Sequence, residues 1–356
     1  MQLPVMPPVL PMLAKATHAV PEGDFVFEPK WDGFRCIVFR DGDEIELGSR
    51  NDRPLTRYFP ELIEPLKRSL PQRCVVDGEV VVAVDGRLDF DVLGQRIHPA
   101  ASRVNRLAAE TPASYVAFDL LALGDLDLTS LTLRERKAAL ESLAHQFEAP
   151  VFLTPSTTDI ETARDWFDRF EGAGFDGVMA KPPDQPYVQD KRVQIKVKRR
   201  HSADCAVAGF RWHKDGQGVG SLLLGLYDDE GDLHHVGVAA SFTAKRRTEL
   251  IDELKPFALE RIEDHPWADW LRQLDTDFEP GARMPGAPSR WNAKKEMSWV
   301  PLHMGLVVEV EYEGLLNRRF RHNGRVVRFR FDRTPESCTY AQLDVVPPAE
   351  ISQIFG

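Results

Sequence analysis

The chain has 356 residues, 43% of them hydrophobic and 28% charged, with a formal net charge of −10. That length predicts two domains of ordinary size and a core large enough to fold without a disulfide or metal staple. The pattern excludes a membrane-spanning helix, since no apolar run is long enough. It also excludes a Cys-x-x-Cys zinc module, because Cys36, Cys74, Cys205 and Cys338 lie far apart and fit reduced, buried thiols in a cytosol.

Residues 1–8 lack a charged region followed by an apolar stretch, and their prolines point to an extended arm rather than a signal peptide. Phe25-Val26-Phe27 leads as a strand into Glu28-Pro29-Lys30-Trp31-Asp32-Gly33-Phe34-Arg35. Two strand-like runs then flank Asp41-Gly42, a hairpin signal. Val75-Val76 and Val80-Val81-Val82 read as further strand before another turn at Asp85-Gly86. Tyr115-Val116-Ala117-Phe118-Asp119-Leu120-Leu121 is the next strand. Thr132-x-x-Glu135 and Thr158-x-x-Glu161 are capping-box patterns, each opening a helix. Strands mixed with helices, without a regular βαβ beat, predict an α+β class.

A dense basic run over residues 190–201 closes this part, and the texture changes near residue 200. Residues 210–238 are strand-like and glycine-rich, and a helix is expected over 243–257. A looser acidic stretch comes next over 264–288, and strands return over 305–313 and 326–331. Short strands around one helix fit a small barrel such as an OB-fold.

Lys30 is the first residue with chemistry to consider. A lysine that attacks phosphorus must be neutral at that moment, and nearby cations or desolvation favour that form. Gly33 would let the backbone approach a ligand closely. Alone, Lys-x-Asp-Gly is also an ordinary turn. A set of further short motifs, in a fixed order after Lys30, is more specific. Ser49-Arg50-Asn51, Asp77-Gly78-Glu79, Phe118-Asp119, Asp176-Gly177-Val178-Met179-Ala180-Lys181 and Lys196-Val197-Lys198 come in turn, then an arginine cluster over 318–333.

On these motifs, which span nearly the whole chain, the sequence resembles an ATP-dependent DNA ligase of the covalent nucleotidyltransferase superfamily, and most resembles the ligase C type of mycobacteria and related actinobacteria. The resemblance implies an ATP-grasp-like nucleotidyltransferase domain of antiparallel sheets and helices over 1–200. An OB-fold β-barrel domain would occupy 201–356. It implies that Lys30 forms a lysyl–AMP phosphoramidate. Glu28 would sit beside the adenine and Phe118 would stack on it. Arg35 and Arg50 would hold ribose and phosphate groups, and Lys196 and Lys198 the α-phosphate. Glu79 would contact the ribose or a divalent metal, Mg or Mn, with Asp176 as a second metal ligand. Fixed cations and a metal are the stabilisers that phosphoryl transfer calls for, and a flat aromatic face suits a purine.

Two departures stand out. The family usually has glutamate where this chain has Asp176, which is one methylene shorter. Many ligases have tryptophan where this chain has Gln194. Each of these site residues also has a plainer account. Phe118 lies in an apolar run and could be core, Arg50 a solvated charge, and Lys196 and Lys198 a basic strand edge.

In the second part, Val326-Val327-Arg328-Phe329-Arg330-Phe331 alternates, which would put arginines on one face and packed rings on the other. The resemblance implies that Arg330-Phe331-Asp332-Arg333 orients the ATP pyrophosphate, with Arg330 and Arg333 as its contacts. Lys245-Arg246-Arg247 and Lys294-Lys295 are further phosphate-contact residues. Implied partners are nicked duplex DNA and repair proteins, with a monomer acting in the cytoplasm at the nucleoid and no membrane. An RNA ligase, a GTP-using capping enzyme and a non-catalytic nucleic-acid binder remain the alternatives. An NAD-dependent ligase would need an extra domain before the lysine, where only about thirty residues stand.

Overall fold

The computed structural model describes residues 1–50, 54–268, 298–316 and 318–343. The chain divides into two units between Arg199 and Arg200. The first unit begins with β1 (Leu13–Thr17), β2 (Val26–Pro29), β3 (Phe34–Asp41) and β4 (Glu44–Ser49). Gly42, at a φ of 63°, turns the β3–β4 hairpin in the left-handed region that glycine enters freely. Next are α1 (Ile63–Ser69), β5 (Arg73–Val81), the small hairpin β6 (Ala83–Val84) and β7 (Arg87–Leu88), α2 (Phe90–Gly94) and α3 (Ala101–Glu110). Then come β8 (Ser114–Leu123), β9 (Leu126–Asp127), α4 (Leu133–Leu143), β10 (Val151–Leu153), α5 (Ile160–Arg169), β11 (Val178–Lys181) and β12 (Arg192–Val197).

These strands form a four-stranded sheet in the order β1-β12-β11-β2 and a larger sheet in the order β10-β8-β5-β3-β4, with β9 on β8. The expectation of antiparallel sheets needs correction at two places. β1 runs parallel to β12, and β10 runs parallel to β8. Parallel pairs need long connections. The β8–β10 link contains α4, and the β1–β12 link contains most of the unit.

The runs Cys36–Phe39, Cys74–Val76 and Tyr115–Ala122 explain the core. Val38, Val76, Val80, Tyr115 and Leu120 have no exposed surface. On the other side of the same sheet the N-terminal arm lays Leu3, Val5 and Val9 against Ile37, Phe39, Val75 and Leu121. Burial of that kind contributes roughly 1.5–3 kcal/mol per large aliphatic side chain. All four cysteines are buried and free.

Thr132 caps α4 with the full reciprocal box to Glu135. The second expected box is corrected. Asp159, not Thr158, caps α5, its carboxylate accepting from the amides of Glu161 and Thr162. Aspartate is the stronger N-cap, and it sits one residue closer to the first turn.

The second unit carries β13 (His201–Trp212), β14 (Val219–Tyr227), β15 (Leu233–Ala239), α6 (Ala244–Leu254), β16 (Val300–Pro301), β17 (Val307–Tyr312), the hairpin β18 (Leu315–Leu316) and β19 (Arg319–Phe320), and β20 (Arg325–Phe329). Its sheet order is β15-β14-β13-β17-β20, with β16 on β13. Gly324, just before β20, bridges Ala239 at the end of β15, with Gly324 N donating to Val238 O at 2.8 Å. That contact joins the two outer strands and closes the sheet on itself as an OB-fold barrel. Leu250 and Leu254 of α6 pack into its core. The expected acidic stretch over 264–288 lies mostly outside the described residues. Among the described residues no helix is long and apolar enough to cross a membrane.

Candidate functional site

The four-stranded sheet forms the floor of a cleft, and its registers show how. Glu28 pairs with Met179, Met179 with Lys196, and Lys196 with Ala16 across the sheet. One step along β2, Lys30 N donates to Gly177 O at 2.8 Å and Asp176 N donates to Lys30 O at 3.0 Å. Side chains alternate along a strand. Glu28 and Lys30 therefore share a face with Met179, Lys181, Gln194 and Lys196. All six line a cleft of about 320 Å³, together with Arg35, Arg50, Glu79 and Phe118. Sites for small ligands start near this size.

Lys30 Nζ lies 2.6 Å from Asp176 Oδ2, and Lys198 Nζ lies 2.9 Å from the same oxygen. Burial raises the Asp176 carboxyl, but the two ammonium groups outweigh it and hold the pKa below the usual carboxylate range. Asp176 thus places the expected nucleophile and a second cation around one charge. Gly177 allows this. It has a φ of 122°, and a Cβ there would stand 1.9 Å from Val197 O.

Glu79 faces the cleft from β5 and differs in character. Burial pushes its carboxyl up to about 7, against the lowering effect of Arg35 and Lys30. Among the described residues it has no hydrogen-bond partner. A divalent cation would supply the charge that this oxygen donor lacks. One or two carboxylates plus substrate phosphates are how Mg-type ions are usually held. The residues therefore fit such an ion at Glu79, whereas Asp176 already serves two lysines. Among the described residues no group of three or more His, Cys, Asp or Glu forms a dedicated metal cage.

The other end of the cleft is built on buried charge. Glu28 is 2% exposed. Its Oε1 accepts from Lys137 at 2.9 Å and its Oε2 from Lys181 at 2.5 Å. Burial raises the Glu28 carboxyl, but the two lysines together lower it further. Burial and the Lys137 charge in turn lower Lys181, against the pull of Glu28. The Phe118 ring, itself buried, has the Arg35 guanidinium 4.3 Å and Lys181 Nζ 4.5 Å from its centroid. Arg35 is held in turn by a two-point contact to Asp77, at 2.6 and 2.5 Å, and Tyr187 Oη donates to Asp77 at 2.7 Å. Two Arg35 donors are therefore engaged away from the cleft.

A close approach of β5 also calls for glycine at position 33, where a Cβ would lie 2.2 Å from Val80 O.

On the expected basic face of the second unit Arg328 and Arg330 both approach Glu309. β20 ends at Phe329, and the Phe331 ring stacks on Phe329 with centroids 6.2 Å apart but is 86% exposed rather than buried. The arginines face acids on neighbouring strands. Arg325 pairs with Glu311, Arg328 with Glu309 at 2.7 Å, and both Arg330 and Arg333 with Asp204. Arg246 pairs with Glu249 and Glu253. Arg50 is exposed at the cleft. Asn51, Lys294 and Lys295 lie outside the described residues.

Sequence reasoning missed Lys137, and it quoted Asp77 in a motif without giving it a role. A signal for Lys137 existed. Leu133, Arg136, Lys137 and Leu140 are the buried residues of α4, at helical spacing, so the period put two basic residues on the apolar face. Arg136 there forms a buried two-point pair with Asp119.

Comparison with known proteins agrees with this arrangement. Residues 11–198 match the family model for the ATP dependent DNA ligase domain, and residues 215–333 match that for the ATP dependent DNA ligase C terminal region. The chain is 54% identical over 348 residues to DNA ligase C2 of Mycolicibacterium smegmatis, covering 98% of this chain and 97% of that protein. It is 52% identical over 361 residues to DNA ligase C of Mycobacterium tuberculosis, covering 99% of each. Its fold is similar to a solved structure from work on DNA binding with a minimal scaffold in Lig E DNA ligases, with a TM-score of 0.55 at 16% identity over 90% of this chain and 100% of that one. The chain belongs to the ATP-dependent DNA ligases.

Proposed function

We propose that Lys30 is the nucleophile of this ligase. Its Nζ attacks the α-phosphorus of ATP, a phosphorus–nitrogen bond forms, and pyrophosphate leaves. The AMP then passes to the 5′-phosphate of a nick in duplex DNA. The 3′-hydroxyl attacks that phosphate, the strand is joined, and AMP departs. The observation that carries this reading is the placement of Lys30 on the floor of a cleft that also holds Glu28, Phe118, Glu79 and Lys196.

Position suggests the other roles. Glu28 and Phe118 mark the base end. Lys196 lies two strands across the floor from β2, on the same face as Lys30, and offers charge to the α-phosphate, where negative charge develops. Lys198 shares Asp176 with Lys30, and moves to the phosphate when the acid releases it. Arg35 lends charge and a flat face more than a free pair of donors, and Arg50 is a cation at the cleft for phosphate. Glu79, with Asp176 once freed, would hold a divalent metal, Mg or Mn, which supplies charge neutralisation and orients oxygens. Arg330 and Arg333 orient the pyrophosphate by exchanging Asp204 for it. The substrate lies at the nucleoid, so the protein acts there in repair, as a monomer alongside repair proteins.

The test is protein–AMP formation from α-labelled ATP with Mg or Mn. An acid-labile adduct that is absent from Lys30→Ala is expected. An adduct surviving in Lys30→Ala would overturn the assignment. GTP in place of ATP should give none, and a nick in duplex DNA should be sealed in preference to one in RNA.

A further inference from the structure

Gln194 lies on the cleft floor two residues along β12 from Lys196, paired with Ala14 of β1. It is 3% exposed. Yet among the described residues the one hydrogen-bond partner of its carboxamide is the thioether of Met12, with Nε2 4.0 Å from Sδ. A thioether is a weak acceptor, so the amide's donors and its acceptor are both poorly met. Buried amides are nearly always paired, and leaving one unmet is costly. Its side chain lines the nucleotide cleft, so the unmet groups border the space a ligand would fill.

The position along the floor says which part of the ligand. Lys30 stands level with Gly177, and Gln194 falls four residues further along the sheet, in the step of Lys181. At about 3.3 Å per residue that is roughly 13 Å from the nucleophile's step. In ATP, the part of the adenosine farthest from the α-phosphorus is the N1–N6 edge of the base. That edge carries an acceptor beside a donor, the complement of a carboxamide. A phosphate offers acceptors alone, and lysine, two residues away, is the residue placed to meet those.

We infer that Gln194 reads the adenine of ATP, its Nε2 donating to N1 and its Oε1 accepting from the 6-amino group. The inference rests on the reading of this cleft as the ATP site. It adds a base contact that Glu28 and Phe118 do not provide. It also accounts for the unmet amide, whose partner is the substrate.

The experiment measures protein–AMP formation in the full chain and in Gln194→Leu, with ATP, 1-deaza-ATP and 7-deaza-ATP. Gln194→Leu should raise the KM for ATP about tenfold with kcat little changed. 1-Deaza-ATP should cost the unaltered protein a similar factor and cost Gln194→Leu nothing more. 7-Deaza-ATP should serve both proteins as ATP does. The thermal midpoint of nucleotide-free Gln194→Leu should not fall, since an unmet amide is replaced by an apolar group. A purely structural glutamine would lower it. Gln194→Met, unbranched and close in shape, repeats the comparison should the leucine fail to fold. An unchanged KM, or losses from the variant and from 1-deaza-ATP that multiply, would overturn the inference. Absence of any adduct from ATP in the unaltered protein would instead remove the reading beneath it, so the two failures are distinct.

Discussion

Lys30 and Asp176 meet through one oxygen, Oδ2, at 2.6 Å, and Lys198 shares that oxygen at 2.9 Å. The acid therefore does two things at once. It fixes the position of the Lys30 ammonium group, and it lets two ammonium groups approach each other.

Asp176→Asn removes the charge and leaves both lysines in contact without it. A fully buried pair broken this way costs about 3–5 kcal/mol. These side chains are 14–21% exposed, so about 2 kcal/mol is expected. The lowered pKa sets the sign with pH. The stabilisation is present above the ordinary aspartate value of 3.8 and is lost as pH falls through the lowered one. Denaturant melts should show a constant deficit from neutral pH down to about pH 5, closing at lower pH. Equal stability at neutral pH would refute the shared-charge account.

Glu79 behaves in the opposite sense. Its folded pKa of about 7 lies above the ordinary 4.5, so folding favours the protonated form. Stability from this group is complete below pH 4.5 and is lost as pH rises through 7. Glu79→Gln should therefore stabilise the metal-free, nucleotide-free protein at about pH 8, by about 1–2 kcal/mol after allowance for solvent screening, and hardly at about pH 4. Metal binding needs the deprotonated form. Calorimetric Mg or Mn affinity of the unaltered protein should rise between about pH 6 and 8, and Glu79→Gln should lose that rise.

Glu28 holds two buried lysines with one charge. Glu28→Ala leaves both ammonium groups uncompensated, whereas Lys137→Met leaves a one-to-one pair with Lys181. Glu28→Ala should cost about 3–5 kcal/mol, and Lys137→Met clearly less. If thermal melts ranked them the other way, the charge count at this end of the cleft would be wrong.

The acids on β13 and β17 temper the arginines of the second unit. Glu309 engages Arg328 at 2.7 Å and approaches Arg330 at 3.9 Å. Glu309→Gln should bind nicked DNA more tightly at low salt. It should also steepen the fall of affinity with salt by about one phosphate contact, a slope change of about 0.9. Filter-binding titrations across a salt series measure both. An unaltered slope would show that these arginines do not meet the DNA.

The legible parts of the fold were those written locally. The Thr132 box, the glycine turn at Gly42 and the β8 run each declare themselves within a few residues. The cleft was legible through ordered short motifs, and seven of the residues given roles there line it: Glu28, Lys30, Arg35, Arg50, Glu79, Phe118 and Lys196. What could not be read depended on distant contacts. Lys137 reaches Glu28 across 109 positions, and Gly33 is constrained by Val80 on another strand. Phe331 keeps the expected alternation, stacked on Phe329, but lies exposed because β20 ends two residues before it. Asp159 was overlooked because Thr158 completed a familiar spacing, while the stronger cap stood beside it.

The parallel pairing of β1 with β12 bears on how this protein comes to exist in a cell. One strand of the cleft floor is made early in synthesis and its neighbour near the end of the first unit. Lys30 must also wait for Asp176, which lies 146 positions downstream. Contacts of such sequence separation form late and slowly. A chain still emerging from the ribosome can fold β3–β4 and pair it with β5, but it lacks the floor of the proposed ATP cleft. On the proposed reading of the cleft, nucleotide capture begins only when the whole first unit is available to fold, and a nascent, truncated chain cannot draw AMP into an unproductive adduct.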